Sequence, residues 1–259
     1  MAGFGDMSIA LTWLGHSTVV LDLDGARLLT DPLLSRHAGP LRRRTGRPRP
    51  ETWAGTDAVL VSHLHHDHAE LASLRRLSSV PVLASPENAR WLRRRGITRA
   101  VGMDDGWLTL AQGVEVRLTR ADHRHRPMPH RPNDARGHLV RSRPATVWIA
   151  GDTSLFDEMR TLPDPLGRPL DIAVVPISGW GPRLSPGHMD ADQAAVACAW
   201  TGARWALPVH WGTLHLPLLR NMPHGWMDRP RELFARALDR VAPDCQSIDL
   251  EPGGAWSPP

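Results

Sequence analysis

The stretch from Asp57 to His68, DAVLVSHLHHDH, constrains this chain more than any other, because an apolar run ends in four histidines and an aspartate. Asp57–Ser62 is short and rich in β-branched side chains, so it reads as a buried strand. In extended backbone alternate side chains point the same way, which lets His63 and His65 face one ion together. Asp67 and His68 follow as the chain turns toward a helix marked by Leu71, Leu74 and Leu77, close enough to reach a second ion. Neutral imidazole and carboxylate are the donors that Zn²⁺ and related metals accept. Two plainer readings compete: a surface cluster in a chain with 14 histidines, or Asp67 acting only as a helix N-cap. The position at the end of a strand, where α/β folds place their sites, favours the metal.

The rest of the sequence alternates strand and helix signals. Ile9–Trp13, Ser17–Leu23 and Arg27–Thr30 read as antiparallel strands, with Asp24-Gly25 as a hairpin turn. Residues 31–50 are rich in Arg and Pro and read as an irregular surface excursion. Val80–Ala84, Val114–Thr119, Ala145–Ala150, Ile172–Pro176 and Trp205–Val209 are further strands, and Ser247–Glu251 is a candidate closing strand. Pro86–Arg95, Asp190–Thr201 and Arg231–Val241 carry helical patterns. This order predicts a layered α/β architecture with helices covering sheets, and no boundary interrupts it, so residues 1–259 are expected to form one domain.

Composition narrows the function classes. All 31 basic residues are arginine, and the net charge is +4. Clusters at Arg42–Arg44, at Arg93–Arg95 and between Arg124 and Arg131 read as solvated faces or as a surface for anionic partners, nucleic acid included. Two cysteines, Cys198 and Cys245, are too few for a disulfide framework or a cysteine zinc site. No signal peptide and no apolar run of transmembrane length stand out, which makes a cytoplasmic location the expectation. There are 11 tryptophans and no tyrosine, and Trp180, Trp211 and Trp226 fall in loops on the site side, as an apolar substrate wall or as plain packing.

The HxHxDH pattern after a strand resembles the signature of the metallo-β-lactamase superfamily. Further motifs agree in order and spacing: TWLGHSTVVLDLDGARLLTDP (Thr12–Pro32), AGDTS (Ala150–Ser154), DIAVVPISGW (Asp171–Trp180), GHMDADQA (Gly187–Ala194) and LPVHWGT (Leu207–Thr213). They resemble the branch that contains ascorbate-phosphate lactonases and N-acylphosphatidylethanolamine-hydrolysing phospholipase D.

The resemblance implies a four-layer αββα sandwich and two divalent metal ions, Zn²⁺ first, with Mn²⁺ or Fe²⁺ as alternatives. It implies that His63, His65 and His123 hold the first ion, that Asp67, His68 and His210 hold the second, and that Asp152 bridges them. His125 competes with His123 for its place. Asp67 and His188 are the catalytic candidates, with His16, Arg126 and Trp180 as candidates for substrate contact. Arg124, beside Arg126, is a further candidate for pairing with phosphate. Asp31 would support a ligand from behind, and His66 would face outward.

The implied chemistry is hydrolysis by a metal-bound hydroxide of a small anionic phosphodiester, phosphorylated lactone or ester. The alternatives are a nuclease acting on RNA or DNA, and a metal-binding protein without turnover. Oligomeric state is not legible.

Overall fold

The computed structural model describes residues 9–110, 113–123, 131–143 and 145–259. Strict alternation in its first three strands, β1 (Ile9–Gly15), β2 (Thr18–Leu23) and β3 (Ala26–Thr30), sets the layering. Ile9, Leu11, Trp13, Val19, Leu21 and Leu23 face one core, while Val20 and Leu29 face another. Asp24 and Gly25 both have positive φ (54° and 84°), as a two-residue hairpin turn requires.

The excursion at residues 31–50 is not irregular throughout. It contains β4 (His37–Ala38) and β5 (Leu41–Arg43), which pair as a hairpin and lead to a single helical turn, α1 (Pro50–Trp53). Strand β6 (Ala58–Leu60), helix α2 (Leu71–Arg76), β7 (Val82–Ala84), α3 (Pro86–Arg94) and β8 (Ala100–Gly102) then follow in βαβ fashion. Ser85 caps α3 by accepting from the Asn88 amide, and Pro86 opens the helix.

The second half repeats this construction. It comprises β9 (Leu108–Thr109), β10 (Glu115–Arg120), β11 (Arg136–Arg141), β12 (Thr146–Ile149) and β13 (Ile172–Pro176). Helix α4 (Ala191–Thr201), β14 (Trp205–Val209), β15 (Leu214–His215), α5 (Arg229–Val241), β16 (Gln246–Ser247) and β17 (Ala255–Trp256) complete it. A reciprocal capping box between Asp190 and Gln193 starts α4. Strands β8, β9, β11 and β17 carry too few apolar residues to stand out in the sequence. Of the expected closing strand Ser247–Glu251 only Ser247 lies in a strand, β16, and beyond it Asp249 and Glu251 pair with Arg231 on α5.

Two seven-stranded sheets result, with orders β17-β1-β2-β3-β6-β7-β8 and β16-β14-β13-β12-β11-β10-β9. Each is antiparallel in its first part and parallel after its third long strand, at β3–β6 and at β12–β13. They face each other across a shared core that includes Trp13, Leu21, Leu60, Val116, Val140 and Val147. Helices α2 and α3 cover the outer face of the first sheet through Leu74, Ala89 and Leu92. Helices α4 and α5 cover the second through Ala194, Cys198, Phe234 and Leu238, giving four layers in the order α/β/β/α. Strands β4, β5 and β15 form a small third sheet above one end of the sandwich. No described helix is long and apolar enough to cross a membrane.

Candidate metal centre

Five strand ends meet at one edge of the sandwich, and each delivers a polar side chain. After β6 the chain runs on without regular structure to a bend at His65, and Leu64 is fully buried in the outer core of the first sheet. Burying one leucine contributes about 2 kcal/mol, so Leu64 fixes the register that turns His63 and His65 to the opposite side. The chain then tightens, with the amides of His68 and Ala69 both donating to the His65 carbonyl, and the turn brings Asp67 and His68 back toward the same edge. Arg131 holds this loop from outside by donating to the carbonyls of Leu64 and Ala69 and to Nδ1 of His66. His66 itself points outward and is exposed, as expected.

His123 follows β10. Its position relative to Asp152 is fixed by Thr153, whose hydroxyl accepts from the Asp122 amide, and by Ser154, whose amide donates to Asp122. Asp152 follows β12 through Gly151, which has φ +64°. A Cβ there would lie 2.8 Å from that of Ser62, so the two sheet edges approach closely only because the residue is glycine. His210 ends β14, and its amide donates to the carbonyl of His16, which follows β1.

Two donor clusters form. Nε2 of His63 lies 3.0 Å, and Nε2 of His123 lies 3.2 Å, from Nδ1 of His65. In the second, Asp67 lies 3.8 Å from Nε2 of His68 and 3.7 Å from that of His210. Oδ2 of Asp152 sits between them, 3.7 Å from His63, 3.1 Å from His68 and 3.2 Å from His210. His188 also reaches it, at 3.2 Å.

The outward nitrogens are anchored. Nδ1–H of His123 donates to Gly187 O at 2.7 Å, that of His210 to Ser178 O at 2.9 Å, and that of His188 to Ser185 O at 3.0 Å. His68 donates to Asp31 at 2.9 Å, and Asp31 also accepts from the amide and hydroxyl of Ser62, whose oxygen lies 3.0 Å from Nδ1 of His63. Each anchor turns the ring so that Nε2 is the nitrogen that faces inward.

Among the described residues, Nε2 of His68, Nε2 of His210 and Oδ1 of Asp152 are buried without a hydrogen-bond partner. Buried polar atoms left without a hydrogen bond are costly in a protein interior unless something binds them, and a divalent cation that displaces the imidazole protons does so. The donor set is all nitrogen and oxygen, and both clusters fit a metal ion.

Electrostatics separates the groups. Burial, reinforced by His210, lowers His16 to about 3. Burial also lowers His123 to about 4 and holds His63 well below the usual range. For Asp67 burial works upward, but His68 and the hydrogen bonds from His16 and His210 override it and keep the carboxyl well below normal. Burial likewise opposes the shift at Asp152, where His210, His68 and His188 prevail. His210 rises to about 9 against its burial because Asp152 and Asp67 face it, and His68 rises for the same reason.

The sequence-derived residues therefore converge, with three exceptions outside the described residues: Arg124, His125 and Arg126. The rivalry of His123 and His125 stays with the sequence, although His123 is the one seen in the first cluster. His16 reaches the site through Asp67, which accepts from its Nε2 at 2.9 Å. Trp180 lines a cavity of about 640 Å³ that opens onto His65, Asp67, Asp152 and His188, walled by Pro40, Leu41 and Leu216. Trp211 stacks on Trp13 in the core, and Trp226 is buried with its indole N–H on Leu219 O, so these two pack rather than line the cavity.

Sequence reading missed Ser62, Arg131 and His138. Ser62 sits inside the strand reading and Arg131 inside a charge cluster, so neither carries a signal of its own. His138, on β11, is buried with neither nitrogen partnered among the described residues. Its burial lowers it to about 4 despite Asp31.

Comparison with known proteins shows the family. A family model described as a β-lactamase superfamily domain matches residues 26–211. A metal-dependent hydrolase of Methanobrevibacter smithii is 28% identical over 252 residues, covering 94% of this chain and 94% of its own. An N-acyl-phosphatidylethanolamine-hydrolyzing phospholipase D of Caenorhabditis elegans is 27% identical over 234 residues, covering 78% of this chain and 63% of its own. Among solved structures, the metallo hydrolase Igni18 of Ignicoccus hospitalis superposes with a TM-score of 0.74 at 22% identity, over 96% of this chain and 97% of that one.

Proposed function

We propose, for a chain that belongs to the β-lactamase superfamily of metal-dependent hydrolases, a dinuclear hydrolase of small anionic esters with an apolar portion. One observation carries this reading: the groups His63–His65–His123–Asp152 and His16–Asp67–His68–His210 lie side by side, with Asp152 3.1 Å from His68 and 3.2 Å from His210, and open onto a cavity whose rim is Trp180, Pro40, Leu41 and Leu216. His63, His65 and His123 would hold one ion, Asp67, His68 and His210 the other, and Asp152 both. Zn²⁺ suits the donors best, and Mn²⁺ or Fe²⁺ also fit. Bound divalent cations supply Lewis acidity, lowering the pKa of water and polarising the oxygen that gains charge.

The chain's own residues divide the remaining work. Asp67, kept ionised by His68 and by the His16 hydrogen bond, orients the attacking water and accepts its proton. His188 faces the cavity with Nδ1–H committed to Ser185 O, so its Nε2 is turned to Asp152 and to the place where a scissile group would lie. Trp180 presents its ring, 42% exposed, as a wall for the apolar part of the substrate. Pairing of Arg126 with a phosphate rests on its sequence position three residues after His123.

A phosphodiester is the first choice. The Caenorhabditis relative is named for acting on a phospholipid, and phosphatidylethanolamines are phosphodiesters. The rim carries a single aromatic ring, Trp180, and no arginine among its described lining, which speaks against a nuclease, whose groove would need guanidinium groups or successive stacking platforms along a strand. The test is hydrolysis of a phosphodiester, a phosphomonoester, a lactone and an acyl ester by the metal-loaded protein, beside Asp67→Ala. Turnover of one class, lost in the variant, supports the reading. Two bound ions with no turnover in any class would refute it.

A further inference from the structure

The sequence RRRTGRPRP, whose Arg42–Arg44 cluster was read above as a solvated face or a surface for anionic partners, folds around a second cavity of about 310 Å³ that shares no lining residue with the metal centre. Arg43, Arg47 and Arg49 line it together with Thr45 and Thr52, and no carboxylate does. Its three arginines differ in kind. Arg43 is buried at 3% exposure, whereas Arg47 and Arg49 are exposed at the rim. The guanidinium of Arg43 donates to three backbone carbonyls, of Gly46, Leu33 and Leu14.

Those carbonyls satisfy hydrogen bonds but carry no net charge. Among the described residues no carboxylate pairs with Arg43, while its neighbour Arg44 is neutralised by Asp228. Burial pushes the Arg43 guanidinium down to about 10 with nothing opposing it. Arg49 has only a loose pairing with Glu51, at 3.8 Å between two exposed side chains, of the kind that water readily replaces. A buried cation without a counter-charge is unfavourable, and an anion in the adjoining cavity would remove that penalty.

We propose that this cavity is a ligand site distinct from the metal centre, which takes a phosphoryl-bearing anion between Arg43, Arg47 and Arg49. Guanidinium forks match phosphoryl oxygens in pairs, and three converging on one cavity fit a dianionic head better than a halide. Thr45 adds a hydroxyl at its wall, while the Thr52 hydroxyl donates to the Arg49 carbonyl and ties the loop that carries that arginine. The Arg43 bond to Leu14 O lies two residues from His16, so the ligand would sit behind the segment that carries His16 to Asp67.

The experiment is a titration of the metal-loaded protein with inorganic phosphate at constant ionic strength, followed by amide NMR. Saturable shifts at Thr45, Gly46, Thr52 and Gly253, weakened about tenfold or more in R47A/R49A, are expected. Turnover at the metal centre should be unchanged in that variant. Arg43 clamps three loops, so Arg43 variants risk misfolding and R47A/R49A is the decisive comparison.

Shifts confined to the histidine cluster, or equal shifts with chloride, would overturn the site. Phosphate binding undiminished in R47A/R49A would do the same. Parallel titrations with glycerol phosphate and with phosphatidic-acid vesicles identify the source, as a soluble ester or a lipid headgroup. Binding to neither would count against a phosphoryl ligand.

Discussion

In the cluster of His63, His65 and His123, burial keeps His63 and His123 neutral and three imidazole nitrogens already face one point. In the cluster of Asp67, His68 and His210, both imidazoles are pushed toward the charged form by the carboxylates beside them. The first is arranged to receive a cation as it stands. The second holds protons where a cation would sit, and a metal entering it has to displace them. The two halves of the centre thus share residue types and differ in what occupies them before a metal arrives.

Removing the shared member tests the comparison hardest. Asp152→Ala should lower kcat/KM by ~1,000-fold or more, about 4 kcal/mol of transition-state stabilisation, and should weaken metal retention in both clusters. Steady-state kinetics with elemental analysis of the dialysed protein would show it, and a variant that kept both ions would remove Asp152 from the bridging place.

Next come the single-cluster variants. His65→Ala and His210→Ala should each lose about one metal equivalent and keep the other. If either loses both, the clusters act as one site and the contrast collapses.

The proton difference gives a subtler effect. Metal titrations in buffers of different ionisation enthalpy should show proton release from the Asp67–His68–His210 cluster. Its apparent affinity should climb until pH approaches about 9, where His210 loses its proton. Affinity at the His63–His65–His123 cluster should level off at lower pH, since His123 titrates near 4. Equal pH profiles would mean that the two clusters hold their protons alike.

The smallest expected effect lies behind both clusters. His138 is neutral in the fold and titrates near 4, below the ordinary 6.5. The unfolded chain therefore takes up a proton first, and stability should fall as pH drops from about 6.5 to about 4, by roughly 3 kcal/mol for this one group. His138→Leu should remove that share and unfold less readily in urea near pH 5. An unchanged acid profile would show that the imidazole has a partner after all.

How much of this was legible in the sequence follows from where each donor lies. His63, His65, Asp67 and His68 are contiguous, and Leu64 between them obeys the alternation that buries it, so local pattern was enough. His123, Asp152 and His210 each stand alone after a strand, and family resemblance was needed to single them out. Strand β11 stayed hidden because Arg136, His138 and Arg141 mask its alternation, and its place comes from pairing with β10 and β12. Strands β4 and β5 were read as loop because they are two and three residues long, and the strand that extends their hairpin into a sheet, β15, pairs with β5 from about 170 residues away, beyond any local pattern. Arg131 looked like surface charge, yet it ties the metal loop, because only the fold brings it to the Leu64 carbonyl.

Five described residues other than glycine have positive φ, and three of them, His16, Asp31 and His210, sit at this centre at the ends of β1, β3 and β14. Left-handed backbone at such residues costs about 1–3 kcal/mol each, tolerated only where the surroundings enforce it. A directed-evolution screen for heat tolerance run on metal-free protein would therefore be drawn to these positions, favouring glycine or asparagine. Its winners would be sturdier molecules that had discarded the donors, so selection for robustness in this fold has to be carried out with metal present.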